Sequence, residues 1–530
     1  MFPVAAVGVA CADPTTTVAP VDRPQRTVVC TSPTDVGCGG GVPPTPRPSA
    51  YPVARMGESN PYGINVVTAL GDDFANTGLD NGLGELVWWL RDANIGWARV
   101  EFSWGGVLQG DATLTYNPSQ FRCDDPSTWS PIRDPNQWNW PRYDRSVARA
   151  DSAGLHLLGV LSKTPRTEGY DACAENFGAS PPRDLEQWEN FVRSTVQRYP
   201  SIRYWEIWNE PGGSALNDSP TQSKAQVYAD LVNRAAPIIH GAGGKVVVLA
   251  NDGGTVADQT SSDPNAYKQT FTRDAMSRIL PGNADVISVH AYRDGAATSS
   301  VIEATLQAVR QVSSTPAVNR VWVTEVGHPY DLADDQQVAD HLSDIFTAYF
   351  SRTQPAWEKT FYWHAYNDKL GLLNGVSANA IQPKVGFNRY RAVTKQALTY
   401  QAHVSAYGWL ASQVDSAVAG TTGQGLRMEA VVINRKNLPR GVGVSYSAYV
   451  NGRGWGPSVS NGAVAGTTGQ GRAIEAVRVQ LTTAPTGLHV CYQTHMKYYG
   501  WQSPACDGAV AGLAGAGVQA EAVRVWVEWR

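Results

Sequence analysis

The sequence YWEIWNEP at residues 204–211 decides how this chain is organised. It is a short run of aromatic and β-branched residues, typical of a buried strand, and it delivers Glu210 at the point where strand should give way to loop. A second run, VWVTEVG at residues 321–327, has the same pattern and delivers Glu325. Two strands that each end in a glutamate indicate a pair of catalytic carboxylates.

Similar runs alternate with helical segments on both sides of these two stretches. They predict eight strands, near residues 62–67, 97–104, 156–161, 204–210, 245–250, 285–292, 320–325 and 360–365. Alternating strands and helices of this kind close into an α/β fold, the (β/α)8 or TIM barrel, whose strands all point their carboxyl ends toward one mouth. Glu210 and Glu325 are therefore expected to meet there, although 115 residues separate them.

The WNEP motif resembles the acid/base motif on the fourth strand of the clan A retaining glycoside hydrolases, and Thr324-Glu325 resembles the nucleophile on their seventh strand. The resemblance spans residues 56–398 and is most like family 39. It implies that Glu210 protonates the leaving oxygen and later acts as base, while Glu325 attacks the anomeric carbon, and that the two carboxyl groups lie about 5–5.5 Å apart. The bland alternative is a helix-start carboxylate at Glu210 and a solvated loop residue at Glu325.

The same resemblance assigns two residues that assist the glutamates. Asn209 would hydrogen-bond the 2-hydroxyl of the sugar, and Arg99 on strand two would keep Glu325 ionised. The structural alternative for Arg99 is an ordinary ion pair inside the barrel.

Further candidates lie at the ends of strands five, six and eight. Tyr292 matches the residue that hydrogen-bonds the nucleophile, and His290 shares its face of strand six. Trp363 matches the clan's sugar-stacking platform, and Asn251 and Asp252 end strand five as candidate subsite residues. The alternatives are a satisfied core histidine at His290 and core packing at Trp363.

Two carboxylates and water complete this chemistry, and the barrel sequence shows no ligand cluster with metal spacing. We therefore predict that neither a metal nor an organic cofactor is required.

Composition limits the class of protein. With 530 residues, 42% of them apolar and 17% charged, the chain is too long for one core, and two or three domains are expected. A net charge of −4 without basic runs argues against nucleic acid and anionic lipid as partners, and no apolar run is long enough to span a bilayer.

The amino-terminal segment predicts export. Residues 1–12 resemble the end of a secretion signal, with a lipidated Cys11 as the alternative, and residues 13–55 form a Pro- and Thr-rich linker. Removal of Cys11 leaves six cysteines, which favours an oxidising, extracellular compartment. Of the fifteen connectivities, the simplest local pairing joins Cys30 with Cys38, Cys123 with Cys173, and Cys491 with Cys506.

From residue 399 to residue 530 the sequence is repetitive. AVAGTTGQG at 417–425 recurs at 463–471 and in degraded form at 509–517, and the repeat length is 46 residues. A Gly-Trp pair and a Glu-Ala-Val triplet recur at the same interval, placing Trp409, Trp455 and Trp501 and then Glu429, Glu475 and Glu521 at equivalent positions.

These repeats resemble the clostridial hydrophobic tryptophan repeat. Since one unit cannot bury its own apolar face, three are expected to close around a pseudo-threefold axis as an all-β module, prism or trefoil-like, with a core of its own. Three equivalent loops would bind a cell-surface or glycan ligand multivalently. The alternatives are a repeated glutamate that satisfies turn backbone and a repeated tryptophan that packs in the core.

Taken together, the sequence favours a secreted retaining glycosidase acting on a poly- or oligosaccharide, held at a cell surface or glycan by its repeats. Two alternatives stay open. One is a catalytically silent adhesion protein built on the same barrel, and the other is a transglycosylase that uses the same two glutamates.

Overall fold

The features described below all belong to one compact unit of the computed structural model, Thr45–Arg530. The residues described are 55–66, 89–91, 93–109, 135, 138–171, 177–252, 264–292, 295–327, 335–351, 356–363, 372–377, 380–414, 416–439 and 441–529. The predicted signal, the linker up to residue 54 and Cys30, Cys38, Cys123 and Cys173 lie outside these ranges.

Eight parallel strands form a closed barrel in chain order. They are β1 (Tyr62–Val66), β2 (Trp97–Ser103), β3 (His156–Ser162), β4 (Tyr204–Ile207), β5 (Lys245–Asp252), β6 (Val286–His290), β7 (Val321–Val326) and β8 (Trp357–Tyr362). The pairing of β1 with β8, with Tyr62 opposite Thr360, closes the ring. The predicted (β/α)8 barrel is confirmed.

Helices follow the strands and cover the outside of the barrel. They are α1 (Trp104–Gln109), α2 (Pro141–Ser152), α3 (Leu185–Arg198), α4 (Lys224–Gly241), α5 (Pro264–Arg278), α6 (Gly295–Arg310), α7 (Asp335–Ser351) and α8 (Val385–Lys395). Local sequence sets where they begin: Asp184 caps α3, and Ser223 with Gln226 forms a capping box on α4. A hairpin of β9 (Leu373–Ser377) and β10 (Ala380–Pro383) precedes α8.

Three strand boundaries differ from prediction. Strand eight begins at Trp357 and ends at Tyr362, about three residues earlier than expected, so Trp363 follows the strand. Strand six ends at His290 and strand four at Ile207, so Tyr292 and Glu210 also lie just beyond their strands.

The side chains inside the barrel change in character along its axis. At the amino end of the strands, apolar and aromatic side chains form a separate buried cluster of Trp97, Leu158, Tyr204, Val247, Val286, Trp322 and Phe361. Because side chains alternate between faces, Arg99 and Glu206 point inward two residues beyond Trp97 and Tyr204. The interior thus runs from an aromatic floor to a charged mouth.

The carboxyl-terminal residues form three antiparallel sheets of five strands each. The first repeat contributes β11 (Leu398–Val404), β12 (Gly408–Trp409), β13 (Gln413–Val414), β14 (Ala419–Gly420) and β15 (Met428–Arg435). The second contributes β16 (Gly443–Val450), β17 (Gly454–Trp455), β18 (Val459–Ser460), β19 (Ala465–Gly466) and β20 (Ile474–Thr482). The third contributes β21 (Leu488–Met496), β22 (Gly500–Trp501), β23 (Ala505–Cys506), β24 (Ala511–Gly512) and β25 (Ala520–Trp529).

Each repeat donates one two-residue strand to a neighbouring sheet. Strand β19 of the second repeat pairs with β15 of the first, β24 of the third pairs with β20 of the second, and β14 of the first pairs with β25 of the third. This cyclic exchange confirms an all-β module of three repeats closed on itself.

Two of the three repeated glutamates bind the backbone of the repeat that donates its strand. Glu475 accepts a hydrogen bond from the Gly515 N–H at 2.8 Å, and Glu521 accepts one from the Gly423 N–H at 3.0 Å, so each binds the glycine turn of another repeat. These contacts support the interpretation in which the glutamate satisfies turn backbone. The predicted Cys491–Cys506 disulfide is confirmed, and it joins β21 to β23.

The module packs against the amino end of the barrel. Ser59 hydrogen-bonds the Thr486 carbonyl, and Asn437 Nδ2 donates to the Val393 carbonyl at 3.2 Å. A cavity of about 470 Å³ lies at this junction, between Tyr204, Arg320 and Lys359 on the barrel side and residues 485–487 of the module. One continuous cluster of buried residues runs through barrel and repeats. The expectation that the repeats have a core of their own stays a prediction.

Candidate active site

Glu210 is carried by a tight backbone turn at the end of β4. Trp208 and Glu210 both have positive φ, 64° and 45°, a region that side chains other than glycine rarely occupy. The turn is anchored by Trp208, whose backbone N–H donates to the Leu161 carbonyl at 2.9 Å and whose Nε1 donates to the Ala215 carbonyl at 2.7 Å. A buried tryptophan therefore holds a strained turn that presents Glu210 at the mouth.

The two predicted glutamates lie side by side with a histidine between them. His290 Nδ1 is 3.0 Å from Glu210 Oε1 and 3.5 Å from Glu325 Oε2. One oxygen of each glutamate and His290 Nδ1 all fall within 4.8 Å of one another. His290 is fully buried, and Glu325 nearly so, whereas the Glu210 side chain is 43% exposed. The pair is thus asymmetric, with one enclosed carboxylate and one open to solvent.

Arg99 contacts residues of both glutamate-bearing segments, β7 and the end of β4. Its Nη1 lies 2.6 Å from Glu325 Oε1, its Nε lies 2.6 Å from Glu206 Oε2, and its Nη2 donates to Asn209 Oδ1 at 2.8 Å. Burial lowers the pKa of Arg99, but the charges of Glu206 and Glu325 outweigh it, so this pKa lies above its ordinary value. A permanent cation therefore fixes one oxygen of Glu325.

The remaining predicted residues gather around this centre. Tyr292 donates its hydroxyl to Glu325 Oε2 at 2.6 Å. Asn209 gives its carbonyl oxygen to Arg99, which leaves its amide nitrogen as the group that can donate to a substrate. The Trp363 N–H donates to the Val326 carbonyl at 2.7 Å, and its half-buried ring packs partly against the barrel core. The platform role of Trp363 stays a prediction.

Two residues of the site were missed by sequence reasoning. Glu206 is fully buried between the aromatic floor and the mouth, and Asn65 on β1 accepts from Arg99 Nη1 at 3.0 Å while donating to the Thr324 carbonyl at 2.8 Å. A glutamate inside an otherwise apolar strand was the available signal for Glu206. Such a residue needs a cationic partner, and that partner is Arg99.

A bulge in β5 determines where Asn251, at the end of that strand, is placed. Leu249 and Ala250 are fully buried with φ of 91° and 45°, and the pairing of β5 with β6 shifts register there. Two hydroxyls hold the bulge: Tyr228 accepts from the Leu249 N–H at 2.7 Å, and Ser288 accepts from the Ala250 N–H at 2.9 Å.

The bulge brings Asn251 to the loop that follows Glu210. Asn251 Oδ1 accepts from the Gly212 N–H at 2.9 Å, and a Cβ at Gly212 would approach the Asn251 amide to 3.1 Å. Asn251 is buried, and its Nδ2 has no hydrogen-bond partner among the described residues. Asn251 therefore contacts the turn that carries Glu210, whereas the Asp252 side chain lies outside the described part of the chain.

Glu210, His290 and Glu325 are also spaced as three ligands of a metal ion could be. Sequence spacing could not reveal this group, since its members come from three strands. Both oxygens of Glu325 already accept hydrogen bonds, from Arg99 and Tyr292, and these donors compete with metal ligation. The predicted independence from metal stays a prediction.

Residues 403–437, 449–483 and 495–528 match the family described as Clostridial hydrophobic W. The carboxyl-terminal module consists of three such repeats. No curated protein matches the chain. None of the helices within the described ranges combines the length and apolar character needed to cross a membrane.

Several solved structures are similar to this chain. A glucosidase from Croceicoccus marinus aligns over 90% of this chain and 97% of its own, with 14% identity and a TM-score of 0.45. A family 39 glycoside hydrolase from Bacteroides cellulosilyticus WH2 aligns over 89% and 82%, with 13% identity and a TM-score of 0.40. A family 1 β-glucosidase from Thermotoga maritima covers 64% of this chain and 98% of its own, at 12% identity and a TM-score of 0.41.

Because these identities are at most 14% and the TM-scores below 0.5, the function proposed below rests on the geometry of the site.

Proposed function

We propose that the chain is a retaining glycoside hydrolase that cleaves a poly- or oligosaccharide by double displacement. The observation that carries this proposal is the spacing of Glu210 and Glu325, whose nearest oxygens lie within 4.8 Å. Retaining enzymes place their carboxyl groups about 5–5.5 Å apart, whereas inverting enzymes leave about 6.5–9.5 Å for a water molecule. The short spacing favours direct attack by a carboxylate.

Glu325 has the surroundings of the nucleophile. Arg99 and Tyr292 bind its two oxygens, which fixes the carboxylate in direction. In the first step, an oxygen of Glu325 forms a bond to the anomeric carbon as the bond to the leaving oxygen breaks. Asn209, held by Arg99, donates its amide to the sugar.

Glu210 has the surroundings of the acid/base residue. Its exposed carboxyl group gives its proton to the leaving oxygen. His290 Nδ1 lies 3.0 Å from Oε1 of this carboxyl group. Once Glu325 is esterified its negative charge is gone, and Glu210 takes a proton from the water that releases the sugar. The repeats would hold the enzyme at a glycan or cell surface, and the extracellular location predicted from the cysteines belongs to the same proposal.

The test is a screen of the purified chain against aryl glycosides and polysaccharides, with the anomeric form of the first product read by NMR. Retention of configuration is expected. A 2-fluoro glycoside of the accepted sugar should then add one sugar mass to the peptide that contains Glu325. Inversion of configuration, or labelling elsewhere, would disprove the mechanism. An absence of turnover on every glycoside would favour the adhesion alternative, and sugar transfer that outcompetes water would favour the transglycosylase.

A further inference from the structure

The three repeat tryptophans share one contact. Each lies in a short strand and pairs across the sheet with the residue six positions earlier: His403 with Trp409, Tyr449 with Trp455 and His495 with Trp501. The ring centroids are 5.3, 5.6 and 5.4 Å apart, and the rings are nearly perpendicular. One side of each indole is therefore packed in the same way.

The other contact is not shared. The guanidinium of Arg478 lies 4.2 Å from the ring centroid of Trp455, and that of Arg524 lies 4.1 Å from the ring centroid of Trp501. A cation at this distance lies on the face of the ring. One repeat length before Arg478 the residue is Val432, which is short and uncharged. The guanidinium cover is thus confined to the second and third repeats within the described chain.

The tryptophan without a guanidinium on its face is also the most exposed of the three. Trp409 is 40% exposed, whereas Trp455 and Trp501 are only partly accessible. Tyr407, in the hairpin turn two residues before Trp409, is 61% exposed. Large exposed aromatics that adjoin one another are uncommon on a soluble surface unless a partner covers them. Among the described residues, only the first repeat combines an exposed hairpin tyrosine with a tryptophan face that no arginine covers.

The third repeat also exposes two hairpin tyrosines, Tyr498 and Tyr499, of which Tyr499 is equivalent to Tyr407, but the face of its tryptophan is covered. Lys497 Nζ lies 4.9 Å from the ring centroid of Tyr498, and Arg524 covers Trp501. In the second repeat, glycine and Arg453 occupy the hairpin positions. The three loops are therefore not equivalent, which contradicts the premise of multivalent binding.

Charge indicates the class of partner. Residues 399–530 contain ten lysines and arginines against six aspartates and glutamates, a net charge of +4, whereas residues 1–398 contain 33 against 41, a net charge of −8. An acidic polymer is attracted to the module and repelled by the rest of the chain. Arg427 adjoins the first hairpin, because the Ser405 N–H donates to its carbonyl at 2.9 Å and its own N–H donates to Ser405 Oγ at 3.2 Å.

We propose that Trp409 and Tyr407 form a single binding platform for an acidic, carboxylate-bearing polysaccharide. Sugar rings present apolar C–H faces that stack on aromatic rings, and the carboxylates along such a polymer meet the positive field of the module. Arg478 and Arg524 close the equivalent platforms of the other repeats. The proposal concerns binding alone and does not depend on hydrolysis by the barrel.

The test uses the full chain with Glu325→Gln, so that no polymer is cleaved, and measures binding to polygalacturonate and to a neutral β-glucan by calorimetry. One site for polygalacturonate is expected, weakened at least tenfold between 50 and 500 mM NaCl. Trp409→Ala should lower the affinity at least tenfold, and the matched variants Trp455→Ala and Trp501→Ala less than twofold.

Two further variants test the cover directly. Val432→Arg, which places a guanidinium over Trp409 and leaves the indole in place, should abolish binding although the protein stays folded by thermal melting. Arg524→Val should raise the stoichiometry from one site to two.

The proposal is overturned if the parent binds no acidic polymer, or if Val432→Arg binds as the parent does. Equal, salt-insensitive binding to the neutral glucan would overturn the acidic class of ligand. Self-association of the parent, measured by light scattering and abolished by Trp409→Ala, would show instead that the patch joins two copies of the chain.

Discussion

At the carboxyl end of the barrel, Arg99 is held by the carboxylates of Glu206 and Glu325. At the amino end, no carboxylate of the described residues forms a hydrogen bond or an ion pair with Lys359. Its Nζ donates to the carbonyls of Glu58 and Asn60, at 2.5 and 2.9 Å, and lies on the face of a tryptophan ring, 4.4 Å from the centroid of Trp97. Both cations are buried.

The two environments shift the pKa values of the two cations in opposite directions. Charge pairing raises the pKa of Arg99, whereas burial lowers the pKa of Lys359 to about 7, although Glu358 and Glu58 act in the other direction. A cation that orients a reacting carboxylate must stay charged across the working pH range. A cation that joins chain segments under the barrel floor does not have that requirement. The cation at the mouth therefore meets the requirement of the proposed mechanism, whereas the cation at the floor serves packing between chain segments.

The strongest test of this contrast removes one glutamate at each end. Glu325→Gln should lower turnover by more than about 10⁴-fold, because it removes the carboxylate that attacks the sugar in the proposed mechanism. Glu358→Gln, which loses an ion pair with Arg320 at the floor, should leave turnover within about twofold and change stability by about 1 kcal/mol. Comparable activity losses in both variants would abolish the distinction between the two ends.

A second test removes the cation at the mouth. Arg99→Met should destabilise the fold by about 3–5 kcal/mol in denaturant unfolding, because Glu206 is left buried without its partner. Adding Glu206→Gln to this variant should recover much of the stability. Activity should not return, since Glu325 still lacks its guanidinium. Recovery of both would make Arg99 merely structural.

A third test measures the titration of Lys359 at the floor through its effect on stability. The unfolded chain keeps Lys359 protonated up to about pH 10.4, whereas the folded chain releases this proton near pH 7, so the unfolded state binds more protons between these values. The free energy of unfolding of the parent should therefore rise with pH relative to that of Lys359→Met, by up to about 4 kcal/mol between pH 7 and pH 10. Parallel stability curves would show that Lys359 is not neutralised by burial.

The smallest expected effect concerns the bulge in β5. Asn251→Ala releases the Gly212 N–H, so the acid/base turn should become less well placed while Glu325 is unaffected. On glycosides with poor leaving groups, kcat/KM should fall by about 10–100-fold, and on dinitrophenyl glycosides, which leave without protonation, by less than about threefold. The control Asn233→Ala, on the outer surface of α4, should change neither. An equal loss on both substrates would indicate a general packing defect.

The parts of the site that the sequence predicted are those whose signal is local. The βα alternation and the two strand-end glutamates need only a window of a few residues, and the structure places both glutamates beside Arg99, Tyr292 and His290. Glu206 was not predicted as a site residue because its ion-pair partner, Arg99, lies 107 positions away in the sequence.

Strand eight was predicted too late for a similar reason. Trp357-Glu358-Lys359 reads as polar, yet Lys359 is buried by contacts with residues 58 and 60 at the other end of the barrel sequence. The bulge at Leu249 and Ala250 has no sequence signature, since neither residue type favours positive φ. Conversely, the inequality of the repeats was readable from Val432, Arg478 and Arg524, but only once the structure placed these positions over the tryptophan rings.

Because the repeats exchange strands, the carboxyl-terminal module cannot complete its pairing until the last strand has been synthesised on the ribosome. The first repeat is made early, but β14 finds its partner only when β25 has been translated, about 100 residues later. Until then the ring of three sheets stays open at one seam, with the unpaired edge of β14 beside it. A chain released before β25 would keep that edge exposed, so stalled or prematurely terminated copies are the ones that should recruit chaperones or aggregate.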